Sequence, residues 1–288
     1  MSSRNLRPSS AFLRNGALRI FEIAFIAFLV VLNTVPILWG VLTSIKPTRE
    51  IFAFPPLIFG FQPVLEHYLR VIQSGFLQSV FVSVINAAGC IFFGLLLAII
   101  AGFGFDRYRF RMRKVLFFCV VIGIPLSIGS SALLIPNYLY MTKLGVTNNR
   151  FTLILLYTTY NLPMAIWILK GAFEAIPREI DEAATLEGCG DLYILFRLLL
   201  PLAKPAIAAA ALFLFIGSWN EFIAASVMVD SPQFRPVQLA IYNYLGYYGR
   251  EWGPLTASSI LALIPIIFVF IRLGRLLISG LTQGSVKD

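Results

Sequence analysis

Residues 77–105 read LQSVFVSVINAAGCIFFGLLLAIIAGFGF, 29 positions without one charged side chain. Wound as an α-helix at about 1.5 Å per residue, the stretch outreaches the roughly 30 Å hydrocarbon layer of a bilayer. Lipid offers backbone groups no hydrogen-bond partner, so a run of this length implies a helix. Five more apolar runs follow the same logic: Ile20–Thr43, Val115–Ile135, Phe151–Gly171, Ala206–Met228 and Pro254–Ile278. The alternation expected of membrane β-strands is absent. The fold class is therefore an all-α membrane protein with six transmembrane helices.

Composition agrees. Of the 288 residues, 58% are hydrophobic and only 13% are charged, about half the share a water-facing surface requires. The formal charge of +9 is spread in short clusters beside the apolar runs, a pattern that orients a membrane protein and does not suggest nucleic acid. Cys90 and Cys119 sit inside apolar runs and Cys189 stands alone in a polar stretch, with no disulfide or metal-ligand spacing. His67 is the sole histidine, which removes most zinc and Ser–His–Asp chemistries. The basic start (Arg4, Arg7, Arg14, Arg19) leads into a run too long for a signal-peptide core and lacking an A-x-A site, so an uncleaved first span is expected.

The basic residues also set the orientation. Sixteen Lys and Arg fall on one side: four before the first run, five over 107–114, four from Lys170 to Lys204, and Arg272, Arg275 and Lys287 at the end. The remaining seven fall on the other. Both termini are thus expected in the cytoplasm. External loops are expected at about 44–76, 136–150 and 229–253, the first rich in proline and aromatics. The organisation reads as 1–76, an N-terminal segment with the first span and its external loop, and 77–288, the core of spans two to six.

Between spans four and five lies the long connection 171–205, GAFEAIPREIDEAATLEGCGDLYILFRLLLPLAKP. Pro177 suits a helix start, and Glu179, Asp181 and Glu182 complement the positive end of the helix dipole. Ala183 and Ala184 favour helix with little bulk, and Gly188 and Gly190 supply a left-handed stop. A short helix, a turn and a second helix reaching Pro201 follow. Such a compact knob could dock in another protein's groove, or simply be a solvated amphipathic linker.

The full spacing narrows the choice. Glu182-Ala183-Ala184, three residues, Gly188, nine residues, Leu198, one residue, Leu200-Pro201 resembles the EAA loop of binding-protein-dependent ABC importer permeases. Leu198 stands where that pattern has Ile, and Glu187 where Asp is common. The likeness extends through Glu66–Tyr68, Ala101–Arg107, Ile135-Pro136 with Tyr138, Leu144-Gly145, Leu162-Pro163, Ile176-Pro177, Trp219–Phe222 and Gly280-Leu281, Gly284 and Lys287. It is similar to the carbohydrate-uptake branch of maltose and glycerol-phosphate type.

The resemblance implies a cytoplasmic EAA helix between helices four and five that inserts into an ATPase cleft. Glu182, Ala183, Ala184 and Gly188 would form the docking knob, Leu200 and Pro201 would join it to the fifth span, and the tail around Gly284–Asp288 would also reach the ATPases. Implied partners are a second homologous permease, two ABC ATPase subunits that bind Mg-ATP, a periplasmic solute-binding protein, membrane lipid and a sugar. The chain has no Gly-Lys pair, hence no GxxxxGK[ST] phosphate loop. No cofactor, metal or catalytic residue of its own, and no nucleic acid, is expected; sugar import at the bacterial inner membrane by alternating access is.

Polar groups inside the spans are candidates for the path. Glu221 is the only deep acid, and charge at depth usually faces water or a partner. Asn220 adjoins it, and Trp219 offers a ring face for a sugar. Asn86, Tyr160 and Asn161 are further candidates, although buried asparagines also bridge helices. Rival functions are a permease for glycerol phosphate or a polyol, and an ion-coupled secondary transporter. The latter usually needs several intramembrane acids.

Overall fold

The computed structural model describes residues 10–128, 131–246 and 250–284, and among them no strand occurs. The main helices are α1 (Ser10–Ser44), α2 (Glu66–Gln73), α3 (Phe76–Arg107), α4 (Arg113–Ile128), α5 (Ser131–Lys143), α6 (Arg150–Glu174) and α7 (Glu179–Leu186). The order continues with α8 (Asp191–Leu202), α9 (Lys204–Trp219), α10 (Ile223–Met228), α11 (Val237–Tyr242) and α12 (Trp252–Gly284). Among the described residues, four segments are each long and apolar enough to cross a bilayer alone: Phe21–Ser44, Phe76–Arg107, Arg150–Glu174 and Trp252–Leu276.

At the centre, α3 packs against α6, and α9 lies across both. The reason is in the sequence of α3. Its buried face carries Cys90, Gly94, Ala98 and Gly102, a small residue at every fourth position, and such a stripe lets helix backbones close without a hydrophobic driving force. A side chain at Gly94 would meet Leu214 of α9, and one at Gly102 would meet Leu169 and the Lys170 backbone of α6. Leu153, Leu169, Phe173, Leu199 and Leu214 fill the same core.

One expected span, the fifth, turns out to be interrupted. The third, read as Val115–Ile135, is covered by α4 and α5, which carry Pro125 and Pro136. Residues 129–130 between them lie outside the described residues. The fifth, read as Ala206–Met228, stops at Trp219 and resumes as α10 at Ile223. Its entry is a sharp elbow, with α8 and α9 meeting at 82°. Pro205 near the start of α9 lacks the N–H that would bond the Pro201 carbonyl, so the helix cannot continue straight.

α1 packs along α12, and its apolar stretch is otherwise uncovered. One bundle end gathers the close of α3 and α6 with α7 and α8. The other gathers the loops before α3 and after α10. There His67 of α2 bonds the Lys46 carbonyl at 2.9 Å and its ring lies against Gly253. Asn148 fixes the loop before α6 to the end of α10 through the Met228 carbonyl at 2.7 Å and Ser231 Oγ at 2.6 Å.

Candidate functional site

The 171–205 connection forms an ordered knob. α7 carries Glu179, Asp181 and Glu182 in its first turn. It closes with Gly188 at φ +83°, where the Gly188 N–H donates to the Thr185 carbonyl (3.0 Å) and the Cys189 N–H to the Ala184 carbonyl (3.0 Å). This is a Schellman stop, and the left-handed backbone it demands is why glycine stands there. Ala184 turns inward to the cluster that includes Phe103, Phe173, Ile194 and Leu195. Glu182 and Ala183 face out, as does Leu186 at 91% exposure. Beside them α8 exposes Leu192, Tyr193 and Phe196. Leu200 is half-buried against the core, whereas Pro201 is exposed at the elbow.

An ion cluster pins this knob to α3. Arg107, 8% exposed, sits 2.7 Å from Asp106 Oδ2 and 2.5 Å from Asp181 Oδ2, and donates to the Ile176 carbonyl at 3.1 Å. The Asp181 contact is a charge pair and not an aligned hydrogen bond, since the Nε–H does not point at the oxygen. Arg178 donates to the Asp106 carbonyl at 2.7 Å. Burial pushes the Asp181 carboxyl above the ordinary range, and the Arg107 charge only partly pulls it back. Tyr108 donates its hydroxyl to Asp191 at the start of α8, and that bond raises the phenol. In the sequence Asp106 and Arg107 figure only as the end of the Ala101–Arg107 likeness, and Arg107 also as an orienting charge; neither reads as a partner of the 171–205 connection.

A cavity of about 600 Å³ opens at the interruption of the fifth span. Tyr160, Asn161, Asn220 and Glu221 line it among apolar walls from Ile124, Met164, Phe213 and Ile216. Glu221 caps α10: Oε1 accepts the Ala224 N–H at 2.8 Å and Oε2 the Ala225 N–H at 3.2 Å. The Tyr160 hydroxyl accepts from Asn137 at 2.8 Å. Asn161 donates to the Tyr157 carbonyl at 2.8 Å, with its side-chain oxygen pressed against Gly217, where any Cβ would collide. Among the described residues, no Lys or Arg lines the cavity. Irregular backbone is tolerated at membrane depth where it borders such a space.

Two sequence candidates lie elsewhere. Trp219, 1% exposed, stacks on Phe215 at 5.4 Å and does not line the cavity, so its ring face is covered by protein. Asn86 is buried in α3, equally outside the lining. The apolar wall was not legible beforehand, because its residues are ordinary in a membrane helix. The expected tail contact falls partly on 285–288, outside the described residues. Among the described residues no cluster has metal-ligand character.

A multi-pass helical bundle with an exposed helical knob at one end and a polar-floored cavity at a broken span belongs to the class of membrane transport components. Residues 94–283 match the family described as binding-protein-dependent transport system inner membrane component, and the chain belongs to that family. It is a multi-pass protein of the inner membrane and an ABC importer permease. It is 29% identical to the diacetylchitobiose uptake system permease protein DasC of Streptomyces coelicolor, over 88% of this chain and 91% of that one. It is 28% identical to the galactooligosaccharides transport system permease protein GanQ of Bacillus subtilis, covering 93% and 95%. In fold it is similar to a chain of a bacterial ABC transporter involved in import of the acidic polysaccharide alginate, with TM-score 0.75, 21% identity and 96% and 98% coverage.

Proposed function

We propose that this chain imports a neutral saccharide as one of two paired permease subunits, driven by ATP that partner subunits hydrolyse. In this reading six spans cross the membrane: α1, α3, α4 with α5, α6, α9 with α10, and α12. The bias of basic residues puts the knob end and both termini in the cytoplasm. α7 then sits in a cleft of an ATPase, with Glu182 and Ala183 at the contact, Ala184 and Gly188 shaping the knob, and Leu200-Pro201 carrying its motion through the elbow into α9. A periplasmic binding protein delivers substrate at the opposite end.

The observation that carries the reading is the exposed, glycine-terminated knob of the EAA pattern, held on a bundle whose cavity opens on the next helix. ATP closes the ATPase pair, the knobs move with it, and the cavity exchanges access. Such a shift requires that the ATPases contact the two states differently. Tyr160, Asn161 and Asn220 offer hydroxyl and amide groups suited to sugar hydroxyls. Without a basic lining residue, a carboxylated sugar would bring an unpaired charge beside Glu221. Saccharide relatives support the substrate class.

The test is uptake by vesicles holding the complex that co-purifies with this chain, supplied with binding protein and labelled oligosaccharides. ATP-dependent accumulation of a neutral oligosaccharide is expected. Uptake without any ATPase, or driven by an ion gradient alone, would contradict the reading.

A further inference from the structure

We infer that the cytoplasmic end of α3, Asp106-Arg107-Tyr108, is a clamp that grips both limbs of the coupling loop, so that displacement of the knob is passed to α3 as well as to the chain-linked α6 and α9. The inference rests on the proposed ATP-driven reading and adds positioning residues to it. The 171–205 loop is covalently joined only to α6 and α9. Ala184 packs in the same cluster as Phe103 of α3, but apolar contact alone lets surfaces slide, and a directional tie is needed for α3 to follow α7.

The structure supplies that tie three times over. Arg107 bridges Asp106 of its own helix and Asp181 of α7, at 2.7 and 2.5 Å. It also donates to the Ile176 carbonyl at the root of the loop. Arg178 returns the grip by donating to the Asp106 carbonyl. Tyr108 adds a weaker, solvent-exposed hold on the second limb through Asp191, its ring set edge-on against Phe103 at 5.7 Å. The side chains of Asp106 and Arg107 are 3% and 8% exposed.

Such enclosure has a mechanical consequence. A surface ion pair is interchangeable with water and transmits little. A desolvated pair cannot be broken without leaving a buried charge uncompensated, so its partners move together. α3 is the helix whose small-residue stripe beds against both α6 and α9, the two helices that carry Asn161 and Gly217 of the cavity. A knob clamped to α3 therefore moves the central three-helix core as a body.

The test measures sugar imported per ATP hydrolysed by the co-purified complex in vesicles, using galactooligosaccharide or diacetylchitobiose, whichever the wild-type complex imports. If the wild-type complex holds no ATPase, the proposed function fails and the clamp with it. Given an active wild type, Arg107→Ala should lower the ratio about tenfold, within the usual span of inter-site coupling. Arg107→Ala with Asp181→Ala should fall no further than Arg107→Ala alone, since that change already removes the Arg107–Asp181 pair. Exchanging the charges, Arg107→Asp with Asp181→Arg, should restore part of the ratio, which a role in folding alone would not do. Tyr108→Phe keeps the ring and removes only the bond to Asp191; it serves even if the Arg107 variants fail to accumulate, and should lower the ratio two- to fivefold. An unchanged ratio in Tyr108→Phe or Arg107→Ala, or additive losses with no rescue by exchange, would overturn the clamp.

Discussion

α9 is broken at both ends, and the two breaks are built differently. At its start the chain turns through 82° at Ala203, between Pro201 and Pro205. Residues on both sides of that elbow, Leu199, Ala203 and Ala206, stay packed in the core. At its end the helix stops at Trp219 with no proline or glycine in the gap, and Glu221 caps the helix that follows. The first break is enforced by a missing donor and remains solid. The second is held open by a carboxylate, and a cavity lies beside it. A packed elbow can carry motion, whereas an open gap can accommodate a solute. In the proposed reading, one helix joins the two functions.

The largest expected effect breaks the first region. Gly188→Val forces a β-branched residue into a backbone at φ +83°, a strain of about 1–3 kcal/mol. Vesicle uptake should be lost while the chain still reaches the membrane fraction. Glu182→Lys should behave similarly, by reversing charge at the exposed contact.

Next comes the cavity. Gly217→Leu would drive a side chain into Asn161, and overpacking of about 1–3 kcal/mol should reduce uptake by roughly tenfold or more. Binding of the ATPase, followed by co-purification, should stay near wild type. A smaller effect is expected at the second break. Glu221→Ala leaves the Ala224 and Ala225 donors of α10 without their acceptor, a cap loss of about 0.5–2 kcal/mol. Glu221→Gln keeps one acceptor oxygen and should lose less; thermal melts of the two variants check the order. Smallest of all, Trp219→Phe should lower the melting temperature while leaving the KM for uptake unchanged, since the ring touches Phe215 and not the cavity.

Much of the helix inventory was legible because apolar length is a direct consequence of lipid solvation. The knob was legible too: proline, acids, alanines and glycine each act on the backbone within a few residues. The break after Trp219 was not, because it depends on Glu221 reaching N–H groups three and four residues on, and hydropathy alone reads straight through it. Trp219 and Asn86 have the chemistry of path residues, but burial is decided by which face of the helix meets a neighbour. The clamp is illegible for a related reason. Asp106 and Arg107 lie far in sequence from Arg178 and Asp181, and only packing of α3 against the loop brings the two pairs within bonding distance.

The proposed mechanism depends above all on the knob gripping an ATP-hydrolysing partner on the cytoplasmic side. A photo-crosslinking residue placed at Ala183, in the whole chain in membranes of its own host, tests this most directly. It should capture a nucleotide-binding subunit, with a yield that changes when ATP is added. Capture of nothing by a chain that still imports sugar, or labelling of position 183 by a membrane-impermeant reagent from the outer face, would contradict it.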